Sequence, residues 1–147
     1  MDAGTVLPPI PTPDAVSQFF WDGVAEHRLL IQRCDRCGTY MHLPRIVCRV
    51  CLSTELSPSE VSGAAVLRTW TIPQAPFDPY YQQHIGYVLA VVELVEQPHL
   101  TMVTNVVDCP EDELRIEMPL QVTFREVAPG VTLPLFAPAA PTAPAPH

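Results

Sequence analysis

The 147-residue chain has room for one ordinary domain, or for a mini-domain beside a small barrel. Its 48% apolar content argues for a real core and against disorder, and no apolar run approaches the ~18 residues of a membrane span. No basic segment followed by an apolar stretch opens the chain, so a secretory leader is not expected and a cytoplasmic protein is.

Residues 1–12 contain Pro8, Pro9 and Pro11 and read as an extended arm. Thr12 offers an N-cap oxygen, Pro13 a pre-set φ at the first helical position, and Asp14 a charge suited to the positive end of a helix. Val16, Phe19, Phe20 and Val24 recur at three- and four-residue spacing, which predicts a helix running to about Glu26. Trp21 lies off the centre of that stripe. It either caps the core or anchors another protein, as Phe19 and Phe20 beside it would.

Within the second predicted unit, residues 13–58, Cys34-x2-Cys37 is followed after ten residues by Cys48-x2-Cys51. Two such pairs bring four thiolates to one tetrahedral point, the pattern of a zinc ribbon. Gly38 stands where the turn after a ligand most needs positive φ. Four thiolates leave no open position for water or substrate, so structural Zn²⁺ is expected. Iron is the rival metal for the same cage, and disulfides are disfavoured because nothing else looks secreted.

Charge is unevenly spread. All eight basic residues are arginine, and five of them (Arg28, Arg33, Arg36, Arg45 and Arg49) lie between His27 and Cys51, where Asp35 is the one acid. Either they balance the thiolate cage, or Arg33, Arg36, Arg45 and Arg49 contact phosphates or an acidic partner.

Residues 59–136 read as strands: Val61–Ile72, Gly86–Leu94, Leu100–Val107, Leu120–Val127 and Val131–Phe136. Five strands with no second helical pattern between them predict a Greek-key barrel of OB type. The loop from Ala75 to His84 carries Phe77, Tyr80 and Tyr81, and is either an interface or a plug folded back onto the barrel. Residues 137–147 read as a disordered Ala/Pro tail.

Outside the cage the residues form no catalytic constellation, with neither G-x-S-x-G, H-E-x-x-H nor a Gly-rich phosphate loop. His27, His42, His84 and His99 are scattered and read as ordinary polar residues. Cys109 has Asp108, Glu111, Asp112 and Glu113 around it, the opposite of what an activated thiolate needs. Nucleic acid is not an expected partner, because residues 52–147, the barrel among them, hold three arginines against eleven acids and would repel phosphate.

Several segments together resemble the acyl-CoA-associated zinc-ribbon/OB-fold proteins, a family long described as a domain of unknown function. They are Phe20-Trp21-Asp22-Gly23, Leu30-Ile31-Gln32-Arg33-Cys34, Cys37-Gly38, Pro44-Arg45, Cys48-x2-Cys51, Ser62-Gly63, Val92-Glu93-Leu94, Asn105, and Gly130 with Leu133-Pro134 and Phe136. The pattern departs at Pro98-His99, at Arg49, and at Glu117, where glycine is usual. The resemblance implies a mostly-β chain: an N-terminal helix and rubredoxin-like zinc ribbon, then a five-stranded OB barrel. It also implies a non-catalytic accessory subunit in a hetero-oligomer with a thiolase-superfamily enzyme acting on acyl-CoA. That enzyme would be a retro-aldolase of steroid side-chain degradation or an acyl-CoA thiolase or acyltransferase. The alternatives are a stand-alone acyl-CoA or nucleic-acid binding module, and an iron-loaded electron carrier.

Overall fold

The structure, a computed structural model, describes residues 5–140. Helix α1 spans Gln18–Ala25, starting later than Thr12 and Pro13 suggested. Asp14 is the reason. Its carboxylate accepts from the amides of Val16 (3.1 Å) and Ser17 (2.8 Å) and from the Ser17 hydroxyl (2.7 Å), tying residues 14–17 into a turn before the helix begins. Those hydrogen bonds, the Ser17 hydroxyl first, also hold the Asp14 carboxyl below its ordinary pKa. At the other end, Gly23 is required by close approach, since a Cβ there would come 2.7 Å from Leu30 Cγ and 2.9 Å from the Arg28 carbonyl.

Strands β1 (Leu30–Cys34), β2 (Tyr40–Met41) and β3 (Leu56–Glu60) form an antiparallel ribbon sheet in the order β2-β1-β3. Strand β3 had no sequence signal. Pro58 lacks an amide proton and its neighbours are polar, so pairing with β1 (Cys34↔Leu56, Leu30↔Glu60) makes the strand, not propensity.

Five strands then close a barrel: β4 (Ala64–Thr71), β5 (Val88–Leu94), β6 (Thr101–Val106), β7 (Pro119–Ala128) and β8 (Val131–Pro138), in the order β4-β5-β6-β8-β7. All pairs are antiparallel except β6–β8, which meet in parallel at Val106↔Phe136. This is the predicted OB topology. Strand β8 runs further than predicted, with Ala137 opposite Gln121, Pro138 opposite Leu120, and the Ala139 amide donating to the Pro119 carbonyl at 3.1 Å. The first residues placed in the tail therefore belong to the barrel; residues 141–147 lie outside the described residues.

Leu67, Val92 and Phe136 are fully buried at the barrel centre, and Phe20, Val24, Leu29 and Ile31 extend the same core under α1 and β1. Ribbon and barrel thus share one hydrophobic core. Glu117 holds φ +65 where the related pattern has glycine; its amide donates to the Leu67 carbonyl at 2.8 Å and its carboxylate pairs with Arg68 at 3.1 Å. Among the described residues no helix is long and apolar enough to cross a membrane.

Candidate metal centre and interaction surfaces

Each cysteine pair sits on a turn of the same construction. The amide of the first cysteine donates five residues ahead (Cys34 to Thr39, 2.9 Å; Cys48 to Ser53, 2.8 Å), and its carbonyl accepts from four ahead (Gly38, 2.9 Å; Leu52, 3.1 Å). The four sulfurs lie within 4.8 Å of one another, with Cys34–Cys51 at 3.5 Å and Cys37–Cys48 at 3.6 Å. Those separations are far too long for disulfides and close to the ~3.8 Å edge of a tetrahedron of sulfurs around zinc.

The electrostatics also call for a cation. Bonds from the Thr39 hydroxyl and amide bring the Cys37 thiol down to about 6. Cys51 is helped by the Ser53 amide, yet burial and the neighbouring sulfurs push it up to about 11. Four sulfurs this close cannot all ionise unaided, and a divalent ion at their centre removes the conflict. The donor set fits Zn²⁺, which would cross-link the two turns and, lacking an open position, hold structure and not substrate.

The two turns differ at one point. Gly38 has φ +76, as the sequence implied, whereas the equivalent residue of the second turn is Leu52 at φ +61. Leu52 is 73% exposed, so its side chain gains little from burial there. Leu52→Gly is expected to stabilise the zinc-loaded chain by about 1 kcal/mol, since left-handed backbone strains any residue with a Cβ. Thermal unfolding of the two proteins checks this, and an unchanged or lower midpoint would contradict it.

The candidate contact residues sort into separate places. Arg33 supports the first turn: Nε donates to the Gly38 carbonyl at 3.0 Å and the guanidinium lies 4.8 Å from the Tyr40 ring centroid. Arg36, Arg45 and Arg49 are exposed, and no ion pair reaches them among the described residues, whereas Arg28, Arg68 and Arg125 are paired. Arg45 and Arg49 line one cleft together; Arg36 does not.

Phe20 is a correction. At 6% exposure it is a core residue, edge-on to Trp21 and 5.3 Å from the His42 ring, with almost no surface to offer a partner. Phe19 and Trp21 are half-buried, and Trp21 lines a cleft of about 250 Å³ with Leu43, Val103 and Leu133. Phe77 is 99% exposed. The loop around it is ordered by a short helix, α2 (Pro79–Gln82), capped by Asp78, whose carboxylate accepts from the Tyr80 amide at 2.9 Å. Asp78-Pro79 carries an N-cap and first-turn signal, but four residues give no periodicity from which to read a helix. Tyr80 stacks on His84 and Tyr81 leans on Tyr87, so these tyrosines shape the loop while Phe77 projects from it.

Leu43, Ile46, Val50 and Leu52 are exposed, and no periodicity around the cysteines marks them as surface residues. His27 stacks on Phe124, and Cys109 is half-buried with its thiol raised by burial. Burial brings His42 down to about 4, so it is neutral near pH 7.

Two family models match consecutive segments: the ChsH2 rubredoxin-like zinc ribbon domain over residues 21–57 and the ChsH2 C-terminal OB-fold domain over residues 59–125. A DUF35 domain-containing scaffold protein of Methanocaldococcus jannaschii is 31% identical over 110 residues, covering 73% of this chain and 75% of the relative. The chain belongs to the DUF35 family. Its mostly-β fold and its metal-binding zinc ribbon are those the resemblance implied.

Another relative, from Thermomonospora curvata, carries the name probable enoyl-CoA hydratase alpha subunit and is 34% identical over 135 residues. That match takes in 92% of this chain but 41% of the relative, so the chain spans less than half of that protein. Among solved structures, a chain of the Ltp2-ChsH2(DUF35) aldolase superposes with TM-score 0.80 at 32% identity, covering 88% of this chain and 99% of that one. A DUF35 protein of unknown function from Sulfolobus solfataricus, at 12% identity and TM-score 0.56, shares the fold.

Proposed function

We propose that this chain is a non-catalytic, zinc-stabilised accessory subunit that docks on a thiolase-superfamily enzyme and supports its acyl-CoA chemistry in a cytoplasmic hetero-oligomer. The observation that carries the reading is the likeness to the DUF35 chain of an aldolase, which extends over 99% of that chain. It favours an aldolase over a thiolase or acyltransferase as the partner. Relatives named scaffold proteins support a subunit that organises, and does not perform, the chemistry.

The surface fits such a role. Phe77 stands fully exposed on a loop already ordered by Asp78, and the Gln82 side-chain amide braces it against the Pro76 carbonyl at 3.1 Å. A rigid aromatic that loses little entropy on burial is the usual anchor of a protein interface. Phe19 and Trp21, with exposed Leu43 nearby in sequence to the cage, offer a second apolar region, and Tyr80 and Tyr81 shape the first. Arg45 and Arg49 lie along the ribbon as contacts for coenzyme phosphates or acidic partner groups, and exposed Arg36 as a contact for acidic partner groups alone. The competing reading, a stand-alone acyl-CoA binding module, draws on the cleft that Arg45 and Arg49 share.

Phe77→Ala is expected to leave the melting temperature unchanged, because the ring touches little in the free chain. It should weaken association with the partner enzyme by about tenfold to a hundredfold, the loss typical of an interface hot spot. Sedimentation or calorimetry with the partner purified from the native host measures this. Wild-type affinity in the variant would remove the loop from the interface.

A further inference from the structure

The junction between ribbon and barrel holds a cleft whose walls are mostly polar. It is lined by Tyr40, Met41, His42, Arg45 and Arg49 from the ribbon side and by Gln97, His99 and Leu100 from the β5–β6 turn. Two arginines meet there with no carboxylate partner among the described residues, in a chain whose net charge is −8. Glu93 pairs with Arg68 at 2.7 Å, while Glu96 Oε1 accepts from the Ser62 amide and hydroxyl and its Oε2 is buried with no hydrogen-bond partner.

The walls are held in place. The buried Gln32 side chain grips the backbone of Arg45 from both sides, its Nε2 donating to the Arg45 carbonyl and its Oε1 accepting from the Arg45 amide, each at 2.8 Å. Gln97 does the same to Tyr40, accepting from its amide at 2.8 Å and donating to its carbonyl at 3.0 Å. That second clamp joins barrel to ribbon across the cleft. His99 is held at φ +64, its amide donating to Glu93 Oε2 at 3.3 Å, and His42 Nδ1 is buried with no hydrogen-bond partner. Two side-chain amides thus fix the backbone walls at Arg45 and Tyr40, beside two guanidiniums with no ion-pair partner among the described residues.

We propose that this cleft binds a phosphate ester or pyrophosphate, with Arg45 and Arg49 as the charged ligands and His99 completing the rim. Guanidinium forks suit phosphate because each presents parallel N–H donors to two oxygens, and groups converging from two elements suit a tetrahedral anion. The cleft is about 150 Å³ and opens to solvent, so a phosphate group can seat in it while the rest of a larger ester extends outside. Arg33, spent on the Gly38 carbonyl and Tyr40, and Arg36, outside the cleft, take no part. The site stands on its own geometry; only the source of the phosphate, an acyl-CoA or a free anion, rests on the function proposed above.

The test is calorimetric titration of the zinc-loaded full chain with pyrophosphate, inorganic phosphate and coenzyme A. Saturable one-to-one pyrophosphate binding is expected, weakened about tenfold to a hundredfold by Arg45→Ala and likewise by Arg49→Ala, and unaffected by Arg36→Ala. Tighter binding of coenzyme A than of pyrophosphate names the coenzyme as the source, and the reverse order names a free anion. Zinc content and melting temperature of each variant confirm that the fold is intact. No saturable binding, or equal affinity in the Arg45→Ala/Arg49→Ala double variant, overturns the site. Complex formation with the partner enzyme is measured on the same variants. Partner affinity lost with anion binding absent throughout would make the arginines acidic-partner contacts, overturning the phosphate site while leaving the docking proposal standing.

Discussion

Chelating zinc, or replacing Cys48 with serine, is expected to unfold the two cysteine turns while the barrel stays folded. Around the cage the buried apolar set is small: Cys34, Met41 and Cys48, with Cys51 and Leu56 packed against them. Such a cluster cannot offset the ordering entropy of residues 34–56, at about 1–2 kcal/mol per residue of backbone. Structural zinc supplies ~10–16 kcal/mol in small metallo-domains, so the metal decides whether this segment is ordered. The barrel's part of the shared core, around Leu67, Val92, Leu120 and Phe136, contains no cage residue and does not need the metal. Amide spectra of the chelated chain check the prediction: signals from residues 34–56 should collapse toward random-coil positions while those of β4–β8 hold. Loss of both sets together would show that ribbon and barrel are one cooperative unit, and retention of both would deny zinc its structural role.

Gly63→Ala carries the second large effect, this time on the barrel. Gly63 has φ +79, and a Cβ there would stand 2.1 Å from Val122 Cγ1 and 2.9 Å from Gln121 Nε2. Neither neighbour can yield easily. The Val122 amide donates to the Gly63 carbonyl at 2.9 Å, and Gln121 Nε2 donates to the Ser62 carbonyl at 2.9 Å, so both are fixed where β7 meets the start of β4. Left-handed backbone costs about 1–2 kcal/mol, and overpacking adds about 1–3. The sum, about 2–5 kcal/mol, is a large fraction of the ~5–15 kcal/mol that holds a domain together. Urea unfolding should show a lower midpoint at unchanged slope. A shift worth less than about 1 kcal/mol would mean that β7 moves aside.

The elements that could be read in advance were those whose residues carry their own signal. Four cysteines at fixed spacing define the cage because metal geometry, not tertiary context, sets that spacing. Strands β5 and β7 announce themselves by an apolar run and by clean alternation. Strand β3 does not, because Leu-Ser-Pro-Ser-Glu becomes a strand through its partner β1 and its own composition argues otherwise. The start of α1 is not legible in the sequence because Asp14 competes with Thr12 for the capping role, a contest decided by the Ser17 hydroxyl. Phe20 and Phe77 show why contact residues are harder still. Both are exposed-or-buried decisions, and periodicity places Phe20 on an apolar face without saying whether the chain itself covers that face. The Arg45–Arg49 cleft depended on Gln32 and Gln97, polar residues whose side-chain clamps join segments 13 and 57 positions apart.

The central claim, an accessory subunit for an acyl-CoA enzyme, is tested most directly by reconstitution. The full zinc-loaded chain is purified from the native host with its co-eluting enzyme, the two are separated, and the enzyme is assayed on acyl-CoA thioesters with and without the chain. The account predicts a stoichiometric thiolase-fold partner whose activity falls when the chain is removed and returns when it is added back, with an aldol-cleavage product. A chain that elutes alone, beside an enzyme indifferent to its presence, would contradict it.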